Sequence, residues 1–183
     1  MVRTTRALLF LSSLFALFGC TGLPENIKPV DNFNITPYLG KWYEIARLDH
    51  PFERGLSNIS ADYTLQNDGS IQVLNQGWNE EDGAWQQAIG TAKFADSQDK
   101  GHLKVSFFGP FYSSYVVYYL EADYSVALVS GYNRDYMWIL SRTPTLTPTQ
   151  LDKYVTIASN AGFDTHALIY PAQQTRQSAP LKQ

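Results

Sequence analysis

From Gly40 to Arg142 the chain alternates apolar and polar residues with a period of two, and turn residues cut the pattern at strand-length intervals. Eight segments result: 41–49, 57–66, 70–78, 85–94, 102–108, 114–122, 125–132 and 135–142. The links between them are short, among them "NDG" at 67–69, "EEDG" at 80–83, "SQDKG" at 97–101 and "GPFYS" at 109–113. Links of that length join antiparallel neighbours, whereas parallel strands need a long crossover. Sequential antiparallel strands either leave two edges or close. The expectation is an all-β, eight-stranded antiparallel up-and-down β-barrel with room inside for one small ligand. A two-sheet sandwich is the competing architecture.

A helical period replaces the strand period once. "TPTQ" at 147–150 sets a capping Thr147 before Pro148, with Gln150 three residues on. Leu151, Tyr154, Val155 and Ala158 then form one apolar stripe that stops near Gly162. This predicts one C-terminal α-helix over about 148–161, packed outside the barrel, within a domain spanning 38–171. "ALIY" at 167–170 predicts a short last strand at an edge, and 172–183 reads as a disordered tail. Residues 21–36 carry Pro24, Pro29 and several Asn without periodicity, so 20–37 reads as a tether. Its about 18 residues would reach roughly 60 Å when extended.

Alternation also assigns inner faces. It turns Ile59, Ala61, Tyr63 and Leu65 inward, then Ile71, Val73, Asn75 and Gly77, then Ala88, Gly90 and Ala92. Leu103, Val105 and Phe107 follow, with Tyr115 and Val117 on the next strand. On the last strand either Tyr136, Trp138 and Leu140 or Met137 and Ile139 face in, since a helix can cover the other set. Small residues such as Ala88 and Gly90 imply a cavity or close packing behind them. Candidate ligand-lining residues are therefore Ala61, Tyr63, Val73 and Asn75 on one side. Ala88, Gly90, Val105 and Phe107 continue the set, and Tyr115, Val117, Tyr136 and Trp138 complete it. In the alternative, the rings of Tyr63, Phe107 and Trp138 fill the gaps.

"GKWY" at 40–43 starts the first strand, where a large ring can plug the narrow end of a barrel. An even number of strands returns Arg142 to that same end, so its guanidinium can lie over the Trp42 indole. Gly40, Trp42 and Arg142 are the expected closure residues. The opposite end receives the connections 50–57, 79–84, 108–114 and 132–135. Phe52, Leu56, Phe108, Phe111 and Tyr112 would rim this mouth, with His50, Arg54 and Arg134 among them. Such rims mark contact with a ligand, membrane or partner, unless the loops pack together as a lid.

The first twenty residues, "MVRTTRALLFLSSLFALFGC", read as a secretory signal with a basic start and an apolar run too short to span a bilayer. "LFGC" resembles a bacterial lipobox, which makes 1–19 the signal peptide and Cys20 the lipidation site. With one cysteine, no intrachain disulfide forms. Without residues 1–19, 12 basic residues face 17 acidic ones, a net charge of −5 that argues against nucleic-acid partners. No nucleophile elbow, zinc-protease motif, phosphate loop or Cys pair appears, and the histidines at 50, 102 and 166 lack metal-ligand spacing. No metal and no cofactor are expected. Haem would need an axial ligand, and no histidine has clear inward parity. Glu44 does have it, as a candidate acid–base group or a buried structural hydrogen bond.

Gly40-x-Trp42 together with "RDYMWILSR" at 134–142 resembles the lipocalin family. "GKWYEIARLDHPFERGLSNISADYTL", "KVSFFGPFYSSY" and "DYMWILSRTPTL" are similar to the bacterial outer-membrane lipocalins, relatives of apolipoprotein D, over residues 31–171. The resemblance implies a non-enzymatic protein that stores or transports fatty acids or lysophospholipids for envelope maintenance under stress. It also implies anchoring to the outer membrane, on its periplasmic face, through acylated Cys20, and it leaves a homodimer open. Arg54, Arg134 or His50 could meet a phosphate or carboxylate head. A haem or pigment carrier is the alternative, and a lipid-modifying enzyme a more distant one.

Overall fold

A computed structural model of the chain describes residues 21–174; the signal segment, Cys20 and residues 175–183 lie outside the described residues. A short helix α1 (Ile35–Tyr38) leads into β1 (Gly40–Arg47), β2 (Leu56–Leu65), β3 (Ile71–Asn79) and β4 (Ala84–Phe94). β5 (His102–Phe108), β6 (Phe111–Leu120), β7 (Val126–Ser130) and β8 (Met137–Ser141) follow, then α2 (Pro148–Asn160) and a 3-10 turn (Thr165–Ala167). Each strand pairs with the next, and β1 also pairs with β8, Tyr43 opposite Ser141 and Glu44 opposite Leu140. The sheet closes into a barrel, which excludes the sandwich. β6 starts earlier than the alternation suggests, because Phe108 pairs with Phe111 across a two-residue turn.

The wall separates two apolar clusters. Inside lie Trp42, Tyr63, Val73, Leu103, Val117 and Leu140, with Trp138 against them. Outside, Val116, Leu128, Met137 and Ile139 meet Tyr154 and Ala158 of α2. The two apolar faces of β8 thus serve different cores. α2 is fixed at its start by a capping box, Gln150 N–H donating to Thr147 Oγ1 and Thr147 N–H to Gln150 Oε1.

Two terminal segments differ from expectation. The stretch read as a tether is laid along the barrel wall. Ile27 and Phe33 are buried, Val30 N–H donates to Val117 O at 2.8 Å, and Phe33 N–H to Asp99 O at 2.8 Å. Isolated apolar residues between prolines carry no period, yet each fills a specific gap in the wall. The start of the expected tail is bound as well. β1 and β2 pair only from Gly40↔Tyr63 to Tyr43↔Ser60, and above that point they part. Arg47 and Ile169 exchange both backbone hydrogen bonds there, Asn58 N–H donates to Ala172 O, and Gln173 Nε2 donates to Glu44 O and Ile59 O. "ALIY" therefore supplies no independent edge strand; it leads a segment that fills the seam of the barrel.

Candidate functional site

The base of the barrel is closed by rings and carbonyls. Trp42 is fully buried and donates from Nε1 to Tyr38 O at 2.8 Å. The Arg142 guanidinium carbon lies 3.9 Å from the centre of a Trp42 ring, within cation–π range. Its nitrogens donate to Lys41 O, Pro37 O and Leu39 O at 2.7, 2.6 and 2.9 Å, tying α1 and β1 to the end of β8. Gly40 occupies the left-handed region at φ 85°, which its lack of a Cβ permits.

Above this plug three phenols share hydrogen bonds: Tyr38 and Tyr63 both meet the Tyr115 hydroxyl, at 2.6 and 2.9 Å. Burial pushes all three above the usual tyrosine range; Tyr38 and Tyr63 both add to the shift on Tyr115, whereas on Tyr38 only Tyr63 adds and the hydrogen bond with Tyr115 opposes it. They form a neutral polar floor. Of the sequence-derived lining residues, Tyr63, Val73, Gly90 and Val117 are closed into this lower half. Ala61, Asn75, Val105, Phe107, Tyr115, Tyr136 and Trp138 are half-buried, and Ala88 is exposed although its parity is inward. Ala61 pairs with Asn75 and Asn75 with Ala88, so these inward-parity positions form one row across three strands that keeps accessible surface. A Cβ on Gly90 would come within 2.8 Å of the Phe107 ring, so that ring fills the gap at Gly90.

The mouth holds a buried charged cluster. A bulge between Glu44 and Ala46 reverses the parity of β1, so Glu44 and Arg47 both point inward. Arg47 Nη1 donates to Glu44 Oε1 at 2.8 Å and Nη2 to Glu53 O at 2.8 Å. Glu53 reaches in from the 48–55 loop and accepts from Trp138 Nε1 at 3.2 Å. His50 Nε2 lies 3.0 Å from Glu53 Oε2, a contact too oblique for a good hydrogen bond. Burial, reinforced by the Glu53 carboxylate, holds Glu44 well above the usual range, and Arg47 only partly offsets this. Burial would raise Glu53 too, but its contacts with His50, Glu44 and Trp138 hold it below. Of the pair, Glu44 is the one pushed toward protonation and Glu53 the one held toward the ionised form. Arg47 Nε and both His50 ring nitrogens are buried without a hydrogen-bond partner, so the cluster retains unmet polar capacity.

The other mouth residues divide. Phe52, Phe108 and Phe111 stand exposed and do not pack together as a lid. Arg54 is engaged by Asp49 through three hydrogen bonds of 2.8–3.1 Å. Arg134 is held outside the barrel, donating from Nε to Ala161 O at the end of α2 and from Nη2 to Glu25 O. Its charge answers helix carbonyls, so the structure does not bring it to the interior. Sequence reasoning missed Arg47 and Glu53 because a bulge and an infolded loop, neither encoded by alternation, place them. An inward Glu44 without a counter-charge was the available signal.

A second polar constellation lies on the outer wall. His102 meets Asp96 Oδ2 through Nδ1 at 2.8 Å and Ser114 Oγ through Nε2 at 3.2 Å. These are the residue types of a hydrolase triad. Ser114 Oγ, however, is buried and donates to Gly22 O at 2.7 Å, so the hydroxyl is covered by the N-terminal segment that it holds. Among the described residues no group of three His, Cys, Asp or Glu side chains is arranged to hold a metal, and no helix is long and apolar enough to cross a membrane.

The closed barrel, with its plugged base and outer helix, defines a known class. The model of the lipocalin-like domain matches residues 33–173. "Outer membrane lipoprotein Blc" of Vibrio cholerae is 54% identical over 170 residues, covering 92% of this chain and 99% of that one. Its Escherichia coli K12 namesake is 47% identical over 164 residues, covering 88% and 93%. Mouse apolipoprotein D is 34% identical over 173 residues, covering 86% and 89%. Insecticyanin from the tobacco hornworm superposes with a TM-score of 0.67 at 20% identity, over 84% of this chain and 88% of that one, and this shows the fold. The chain belongs to the lipocalin family.

Proposed function

We propose that this chain is a non-enzymatic carrier of single-chain lipids, fatty acids or lysophospholipids, anchored to the periplasmic face of the outer membrane through acylated Cys20. The observation that carries this reading is the division of the barrel interior. Its lower half is closed, while the row Ala61, Asn75 and Ala88 keeps accessible surface beneath a polar mouth. Burying about 16 methylenes contributes on the order of 10–13 kcal/mol gross, and ordering and association offset several of these. Arg47 and His50, with their unmet hydrogen-bonding capacity, replace Arg54 and Arg134 as the groups that face the ligand head. The names of the bacterial relatives, outer membrane lipoproteins, support the anchoring. Storage or transport during envelope stress is the role that fits a lipid carrier held there.

Titrating a lysophospholipid while following tryptophan fluorescence tests the reading, since Trp138 lines the upper interior. Saturable quenching at one lipid per chain is expected, and an unresponsive signal overturns it. A haem or pigment carrier is favoured by one observation: His50 is buried inside the mouth with its ring 5.2 Å from that of Trp138. A Soret shift on adding haemin, lost in His50→Ala, would support that alternative.

A further inference from the structure

The upper interior already holds an anion, and it is the chain's own. Of residues 51–55 in the β1–β2 connection only Glu53 is drawn in, while Pro51, Phe52, Arg54 and Gly55 are exposed. Phe52 is 71% exposed and the Arg54 side chain 61%, whereas the Glu53 side chain between them is 13% exposed. Its Oε2 lies 3.2 Å from Trp138 Nε1, 3.0 Å from His50 Nε2 and 3.9 Å from Arg47 Nε. Nitrogens from three side chains thus converge on one carboxylate oxygen, in the geometry of an anion site.

The fit is loose. Arg47 Nε and both His50 ring nitrogens stay buried without a hydrogen-bond partner, and unpaired buried polar atoms are costly. Glu53 is tethered through its own backbone, whose carbonyl accepts from Arg47 Nη2 and Leu56 N–H, and this limits how far its carboxylate reaches. A head group at the end of a flexible acyl chain carries no such restraint. Charge decides how that head enters. Arg47 is the permanent cation of the cluster, Glu53 balances it, and burial favours the neutral form of Glu44. A second anion added beside Glu53 would be buried without a counter-charge, which a low-dielectric interior opposes. An anion that replaces Glu53 leaves the balance as it was.

We propose that Glu53 holds the place of the ligand's anionic head, and that a single-chain lipid enters by exchange with it. The incoming head takes the contacts to Trp138, His50 and Arg47, and residues 51–55 turn outward with Glu53. This rests on the carrier reading above and narrows its ligand class to single chains with an anionic head, a carboxylate or a phosphate.

The test follows tryptic cleavage after Arg54 in the full chain, with the fragment ending at Arg54 read by mass spectrometry. Saturating oleate or oleoyl lysophosphatidate should speed this cut at least about fivefold, because exchange frees the segment that carries it. Whichever of the two speeds it more tells carboxylate from phosphate as the preferred head. Monoolein, the same chain without a charge, should leave the cut at its resting rate. Tryptophan fluorescence then gives affinities. Glu53→Gln should raise the ratio of oleate to monoolein affinity about tenfold, since the parent chain must first release its own carboxylate. In that variant oleate should no longer change the cleavage rate. Cleavage that oleate and lysophosphatidate leave unchanged or slow, or that monoolein speeds equally, overturns the proposal, as does an unchanged affinity ratio. The cleavage measurement on the parent chain decides even if Glu53→Gln fails to fold. A parent chain that binds none of the three lipids sinks the carrier reading and the exchange with it, whereas binding without faster cleavage sinks the exchange alone.

Discussion

Along the inner faces of β2, β3 and β4, one step of two residues separates two environments. Tyr63, Val73 and Gly90 are closed off, while Ala61, Asn75 and Ala88, the next inward positions toward the mouth, keep accessible surface. Below the step the interior is apolar apart from three phenols that bond one another. Above it the buried Arg47, Glu44 and His50 gather with the half-buried Glu53, and polar atoms are left over. The lower half behaves as a core, where packing and satisfied hydrogen bonds hold the fold. The upper half keeps costly groups that a core would exclude. A barrel can tolerate this because the strands are continuous through both halves, so the ordering of the base also orders the mouth.

The comparison is broken most severely at the base. Trp42→Ala removes a fully buried indole and leaves Arg142 facing an empty space. A loss of about 3–5 kcal/mol is expected, read by urea unfolding of the full chain. Next comes Arg47→Met, which removes the guanidinium bonded to Glu44 Oε1 and to Glu53 O. Because burial already favours the protonated form of Glu44 and Glu53 keeps His50 and Trp138, the expected cost is about 2–3 kcal/mol, below that of stranding a buried charge. If Arg47→Met costs more than Trp42→Ala, the mouth, and not the base, holds the fold together.

These two residues also show what the sequence could and could not tell. Trp42 was legible because a ring beside a strand-starting glycine, with an arginine returning after eight strands, leaves few geometries open. Inward parity was legible for Ala61, Val73 and Ala88 because alternation survives wherever a strand is regular. Arg47 was not, since the bulge between Glu44 and Ala46 adds one residue and turns outward parity inward. Glu53, Ile27 and Gln173 belong to segments without any period, and only the completed barrel offers the surfaces they occupy. Arg134 misled for the opposite reason, its loop being at the mouth while its side chain answers carbonyls on the outer wall.

Two substitutions on one strand sharpen the boundary between the halves. Gly90→Ala forces a Cβ against the Phe107 ring, at 2.8 Å, and against Ser106 O at 2.9 Å. It should destabilise the chain by about 1–3 kcal/mol. Ala88→Trp, two residues toward the mouth, projects into accessible space and should change stability by less than about 0.5 kcal/mol. The same substitution should weaken lysophospholipid binding about tenfold, or about 1.4 kcal/mol, because the indole takes volume the acyl chain needs. Paired unfolding and fluorescence titrations separate the two effects. Equal destabilisation at both positions would mean that the step between the halves is absent.

The smallest expected effect reads the charge state of the mouth. Glu44 is held well above its ordinary value, chiefly by burial, so the folded chain keeps a proton that the unfolded chain releases above about pH 4.3. Its contribution is fully present below that pH and is lost as pH rises, until Glu44 ionises in the folded chain. Glu53 acts in the opposite sense: its lowered value contributes above its unfolded range and is lost on acidification. Glu44→Gln keeps an oxygen for the Arg47 guanidinium and removes the proton. Stability measured by urea unfolding should then cease to fall between pH 4.5 and neutrality, gaining about 1 kcal/mol at pH 7 relative to the parent chain. Glu53→Gln should instead flatten the acid limb and leave the neutral slope in place. An unchanged neutral slope in Glu44→Gln would reassign the proton to Glu53 and, with it, the charge of the mouth.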